Sequence, residues 1–149
     1  MNVTTKLGIS NISEKEIITF EYGMPGFETL KKFVLLTPEE SKPIMWLASI
    51  ENKEIAFPVI HPELIRSDYS ITLPKDIVDY LELKTSKDAL TLSILTINDT
   101  NTTINLLAPI IISLKNKLGI QLIIENTNYT TKHDLKEELK RTKVLKGAD

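Results

Sequence analysis

The chain has 149 residues, 42% of them hydrophobic and 26% charged, with a formal net charge of -2 and no cysteine. That length suits one domain with a core of its own, and the slightly acidic balance argues against bulk nucleic-acid binding. The absence of cysteine excludes a disulfide framework, a thiolate nucleophile and thiolate metal sites.

Taken in chain order, Met1 to Leu7 is an expected edge strand and Ile17 to Phe20 a second, joined by a polar loop containing Ser13, Glu14, Lys15 and Glu16. Tyr22 to Glu28 follows, in which Pro25 and Gly26 suit the two central positions of a type II turn: proline presets the first angle and glycine accepts a positive φ at the second. Phe27 comes directly after the turn, either as a core side chain or as an anchor facing a partner. Phe33 to Leu36 is a strand. Thr37-Pro38-Glu39-Glu40 is a single helical turn capped by Thr37, which Pro43 closes.

Ile44 to Ile50 and Ile55 to Ile60 form a predicted hairpin across Glu51-Asn52-Lys53-Glu54. The first strand puts Ile44, Trp46, Ala48 and Ile50 on one face. Trp46 is expected in the core; were it exposed, it would be the leading interface residue. Pro58 places the second strand at an edge or a sharp bend, because proline donates nothing to a ladder. Tyr69 to Leu73 is a short predicted strand. Pro74 to Glu82 is a helix, with Pro74 opening it and Ile77, Val78 and Leu81 on one face, packed over an open end of the sheet.

Three strands come next: Leu90 to Ile97, Thr102 to Ser113 and Ile120 to Ile124, with connections short enough for an antiparallel meander. Pro109 marks a bend in the long middle one. Lys132 to Leu145 has helical composition, with Leu135, Leu139, Val144 and Leu145 as a narrow apolar stripe. So thin a stripe implies a solvated or weakly docked helix. Six basic residues (Lys132, Lys136, Lys140, Arg141, Lys143, Lys146) against Asp134, Glu137 and Glu138 give this tail +3, leaving -5 on the remainder. The expected fold is therefore mainly β: a small antiparallel β-barrel or closed sheet over residues 1–130, one or two short helices, and a charged helical tail over residues 131–149.

Catalytic groups do not converge. His61 and His133 stand in unrelated contexts without metal-ligand spacing, the carboxylates are dispersed, and five glycines form no phosphate loop. No metal or cofactor is expected. The opening residues lack an apolar run and no window is long enough to cross a bilayer, so a cytoplasmic location is expected, with no membrane partner. Single-strand RNA binding would need a basic groove with exposed aromatics, which the strands do not supply. The chain reads as a binding protein and not an enzyme. Candidate contacts are Pro25, Gly26, Phe27 and Glu28 at the turn, with Asn105 and Pro109 at the bend, where irregular backbone leaves groups free.

Met24-Pro25-Gly26-Phe27-Glu28, Phe33, Trp46-Leu47-Ala48-Ser49, Phe57 to Pro62, Tyr69, Thr103 to Ile110, Gly119, Gln121 and Tyr129 follow in an order that resembles the FliW family of flagellar assembly factors. The likeness runs from about Phe20 to Tyr129, departs from many relatives at Met45 and Ala48, and leaves the tail unmatched. It implies a chaperone-like factor that binds flagellin in the cytoplasm and also binds CsrA, a basic RNA-binding repressor, relieving repression of flagellin translation. An acidic body suits a basic partner. The alternative is a β-barrel module for an unrelated protein or RNA ligand.

Overall fold

The structure, a computed structural model, describes residues 1–145. The side chains of Val144 and Leu145, expected in the apolar stripe, lie outside the described part, as does Lys146. Strands form where β-branched and other apolar residues alternate with polar ones. They are β1 (Asn2–Thr5), β2 (Gly8–Asn11), β3 (Ile17–Thr19), β4 (Lys32–Leu36), β5 (Met45–Ser49), β6 (Ala56–Ile60), β7 (Ala89–Thr96), β8 (Thr103–Ile104), β9 (Ile110–Ser113), β10 (Gly119–Gln121) and β11 (His133–Asp134). Two α-helices join them, α1 (Lys75–Tyr80) and α2 (Leu135–Leu145).

The main sheet is antiparallel in the order β10-β9-β7-β6-β5-β4-β3, with β8 on β7 and β11 on β8. The predicted 44–60 hairpin is present, and Leu47 faces Phe57 across it. The segment expected as one strand from Thr102 to Ser113 is broken. Leu92 faces Ile110 while Leu95 faces Ile104, so three steps along β7 meet six on the other side and three residues are looped out. Asn105 makes the break, its Oδ1 accepting from the amides of Leu107 (3.1 Å) and Ala108 (2.9 Å) in a local turn that competes with the ladder.

One face of the sheet curls inward over Ile18, Phe20, Met24, Phe33, Leu47, Val59, Leu92, Ile110 and Ile112. Strands at both ends of the order supply this cluster, so the sheet bends back on itself. It does not close into the expected barrel. Its ends touch at one parallel bridge, Thr19 with Leu118, with the Thr19 amide donating to the Lys117 carbonyl at 2.8 Å. β3 has three residues and the chain turns away after it, which leaves a bridge where closure would need a ladder. Phe20 crosses that seam onto Gly119, where an added Cβ would lie 2.5 Å from the ring.

The outer face is covered in three places. Met1 to Leu7, expected as an edge strand, belongs to a separate β1–β2 hairpin that lays Val3 and Ile12 over Val34 and Ala48. Helix α1 packs Ile77 and Leu81 against Ile111, not over an open end, because Ile111 alternates outward between Ile110 and Ile112. Ile71 and Leu73 join that cluster from irregular backbone, not from the strand expected over Tyr69 to Leu73. The 37–41 segment is a 3-10 turn over Glu39–Ser41 capped by Pro38 without a side-chain bond, one residue beyond the expected Thr37 cap.

The third cover is α2, and polar groups hold it. Buried Glu138 accepts from Arg66 (3.2 Å) and lies 3.0 Å from His133 Nδ1. Thr142, also buried, donates to the Ile65 carbonyl and accepts from the Ser67 amide at 3.0 Å. Arg141 reaches Asp68 at 2.9 Å; its hydrogen bond holds that exposed carboxyl below the ordinary carboxylate range. Arg66 also lies 4.9 Å from the centre of the Tyr129 ring, which stacks on Tyr69 at 4.8 Å. The Tyr69 hydroxyl donates to the Leu106 carbonyl at 2.8 Å, and burial pushes its pKa upward. Leu139, expected in the docking stripe, faces solvent.

Candidate partner-docking surface

Left uncovered on the outer side is the place where β6 and β7 part. Their pairing covers Val59 with Ile94 and Ile60 with Ser93, then ends at Pro58. In the β5–β6 hairpin the Ser49 amide donates to Ile55, and hydrogen-bonding positions alternate in an antiparallel pair. Pro58 therefore turns its nitrogen toward β7, where it has no proton to donate. β6 is an internal strand, but the proline makes a local edge in it.

The gap is a groove of ≈ 600 Å³ lined by Pro25, Trp46, Phe57, Pro58, Ile97 and Gln121, among others. Trp46 is half-buried here and shares the outward face with Ala48, so the expectation of a core tryptophan is corrected by the parity of β5. Ile97 is 51% exposed. Lys6, from the turn between β1 and β2, is the charged side chain among the described lining residues.

The predicted turn stands at the rim. The Phe27 amide donates to the Met24 carbonyl at 2.7 Å and Gly26 has φ +86°, matching the type II geometry expected of Pro25-Gly26. The Glu28 carboxylate folds back to accept from the Gly26 amide. Gly23 also has a positive φ, and a Cβ there would fall 2.5 Å from the Glu28 backbone; this second requirement for glycine was not foreseen. Pro25, Gly26 and Glu28 are exposed, whereas Phe27 is half-buried.

Phe27 sets its ring edge-on to Phe57 at 5.5 Å, Phe57 lies 6.3 Å from Phe33, and Phe33 lies 5.2 Å from Phe20. All four phenylalanines thus run in one line from the groove to the seam at Gly119. Phe27 is both a support of the groove and a branch of the core.

Asn105 and Pro109 are placed differently. Asn105 is half-buried with its oxygen committed to the local turn, and Pro109 is buried, its carbonyl accepting from the Leu122 amide. The Asn105 oxygen and the Pro109 carbonyl are thus spent on the fold, because the looped-out residues satisfy their own backbone. They stand behind the groove: Gln121 Nε2 donates to the Ala108 carbonyl at 3.0 Å, which fixes a lining side chain to that turn. The signal that could have located the groove was Pro58, which ends the β6–β7 pairing and so opens the sheet between outward Trp46 and inward Phe57.

Among the described residues there is no group of three histidine, aspartate or glutamate side chains able to hold a metal ion, and no helix is long and apolar enough to cross a membrane. What the surface offers is an open groove in which apolar side chains and polar groups share the lining, a mixture that docking surfaces carry.

The family profile described as FliW protein matches residues 2–135. Flagellar assembly factor FliW from Thermotoga maritima is 45% identical over 144 residues, spanning 95% of this chain and 97% of the relative. The protein of that name from Clostridium botulinum is 43% identical over 141 residues, spanning 93% and 99%. A crystal structure of the flagellar assembly factor FliW superposes with a TM-score of 0.85 at 39% identity, covering 91% of this chain and 96% of that one. In sequence over nearly its whole length, and in the path of its backbone, this chain belongs to the FliW family of flagellar assembly factors.

Proposed function

We propose that this chain is a cytoplasmic partner switch of flagellum biogenesis. It binds flagellin as a chaperone-like factor and binds CsrA in the alternative state, freeing flagellin mRNA for translation; accumulating flagellin releases CsrA again. The β6–β7 groove with the turn at Pro25, Gly26, Phe27 and Glu28 is the docking surface in this reading, and Asn105 and Pro109 act from behind it through Gln121. The observation that supports it best is the groove beside Trp46, with exposed Ile97 on its wall, which the rest of the outer covering leaves bare. An acidic body favours a basic partner such as CsrA and disfavours RNA.

Titrating CsrA into the protein by calorimetry, with and without flagellin, tests the switch. Flagellin should displace CsrA, and affinity for CsrA should fall as salt rises; simultaneous binding of both partners would rule out the exchange. Trp46→Ala should weaken binding of at least one partner about tenfold or more while the fold survives, as expected for a central aromatic contact. Phe27→Ala should also weaken binding, with a stability loss of about 1–2 kcal/mol for a half-buried ring in an edge-on pair. A stability loss as large as that of a fully buried phenylalanine would assign Phe27 to the core alone.

A further inference from the structure

The outer edge of β10 is open in a way that invites a strand. On the inner side the Leu118 carbonyl accepts from Ser113, the Leu122 amide donates to Pro109, and the Ile124 amide donates to Leu107. Even-numbered residues therefore bond inward all the way to Ile124. Past the end of β10 at Gln121 the backbone is irregular but keeps this alternation up to the bend at Glu125, so the N–H and C=O groups of Gln121, Ile123 and Glu125 are placed outward. The same edge is already used once: Lys117 accepts from Thr19 there, and the chain leaves immediately afterwards.

Beyond that bridge, the edge is guarded by little more than the shortness of β10 and the charge of Glu125. Exposed edges are normally blunted by lysine, proline or a bulge, whereas Gln121-Leu122-Ile123-Ile124-Glu125 has none of these. Ile123 is 65% exposed. Alongside runs a cleft of ≈ 620 Å³, bounded by residues 122–127 and Tyr129 on one wall and by Ser70, Ile71, Thr72 and the start of α1 on the other.

Charge selects the occupant. The charged lining residues are Asp76 and Glu125, both exposed, and the lining contains no lysine or arginine. Lys75, next in sequence to Asp76, is paired with Asp79 at 3.1 Å. A second copy of this chain, added through the same edge, would bring no basic residue to Asp76 and Glu125, since Gln121–Glu125 carries none. We propose that the edge Gln121–Glu125 receives an extended partner segment carrying lysine or arginine, which joins the sheet as an added strand. This surface is separate from the β6–β7 groove, and the proposal does not depend on which proteins dock there.

The test uses the full chain, amide-resolved NMR and a capped hexapeptide alternating valine and lysine. Adding the peptide should shift the Gln121, Ile123 and Glu125 amides and slow hydrogen exchange at Ile123 and Glu125. The same peptide with glutamate for lysine should bind about tenfold more weakly. Ile123→Pro removes an outward N–H without touching the inward ladder and should abolish binding, while Ile123→Thr, which keeps that N–H, should retain it. Should Ile123→Pro fail to fold, the exchange pattern of the native chain with peptide decides alone. Absence of any shift, equal binding of both peptides, or concentration-dependent changes at these amides without peptide, the mark of self-association, would each overturn the proposal.

Discussion

The β1–β2 hairpin and helix α2 both cover the outer face of the sheet, and they are attached by opposite chemistry. The hairpin is held by Val3 and Ile12 over Val34 and Ala48, an apolar contact with no charge in it. The helix rests one apolar residue, Leu135, on the Ile60 and Leu106 cluster and is otherwise held by Glu138 and Thr142, two buried polar side chains that meet Arg66, His133, the Ile65 carbonyl and the Ser67 amide. Apolar docking tolerates small adjustments, since no single pair must be kept. Polar docking requires every partner in place, because a buried group left alone costs more than its bond contributes.

The sharpest way to break this comparison is Glu138→Ala. Arg66 would lose its principal counter-charge in a site that leaves it mostly buried, and stability should fall by about 3 kcal/mol. Replacing both partners with apolar side chains of similar volume, E138L with R66M, should recover most of that loss. Chemical denaturation of the two variants checks the pair; equal loss in both would mean that packing and not charge pairing holds the helix. Next comes Ile12→Ala, expected to cost about 2 kcal/mol at a site where a hairpin outside the main sheet can settle into the space. Its effect should be confined to exchange protection of residues 2–11, with α2 untouched.

The smallest effect is acidic. Asp68 is held below the usual carboxylate range by Arg141, so its folded form resists protonation more than the unfolded chain. The sign follows: it stabilises above the ordinary carboxylate pKa of about 3.9, and the contribution is lost as pH falls through the depressed value. Melting curves between about pH 6 and about pH 2 should show a slightly shallower acid limb for Asp68→Asn. Salt should reduce this contact before it touches Glu138–Arg66, because Asp68 is exposed.

The same contrast explains what the sequence revealed. Hydropathy and alternation located the 44–60 hairpin, β7, α1 and the Pro25-Gly26 turn, because those elements are built from apolar parity and turn chemistry. They read α2 in part: Leu135 packs on the cluster of Ile60, Ile65 and Leu106 as the stripe requires, but Leu139 is exposed and buried Glu138 and Thr142 complete the docking face. Partners 72 and 77 residues away cannot be read from helical spacing. Met1 to Leu7 does hold a strand, β1, but its partner was not expected: Gly8, with φ +105°, ends a tight turn that makes two strands where composition suggested one. The site was half legible. The turn announced itself through Pro25 and Gly26, but placing it beside Trp46 and Phe57 required the sheet order, and the buried position of Pro109 required knowing that Leu122 would bond to its carbonyl.

Pro58 carries a further implication for how a visitor is received. Two neighbouring strands that could hydrogen-bond throughout would be expected to zip together when unoccupied and to need prying apart at each encounter. A residue with no proton on its nitrogen cannot complete that seam, so if the groove docks a partner as proposed, its receiving shape exists beforehand. Association should then proceed in one kinetic phase whose rate climbs in proportion to partner concentration, without a plateau set by a preceding rearrangement.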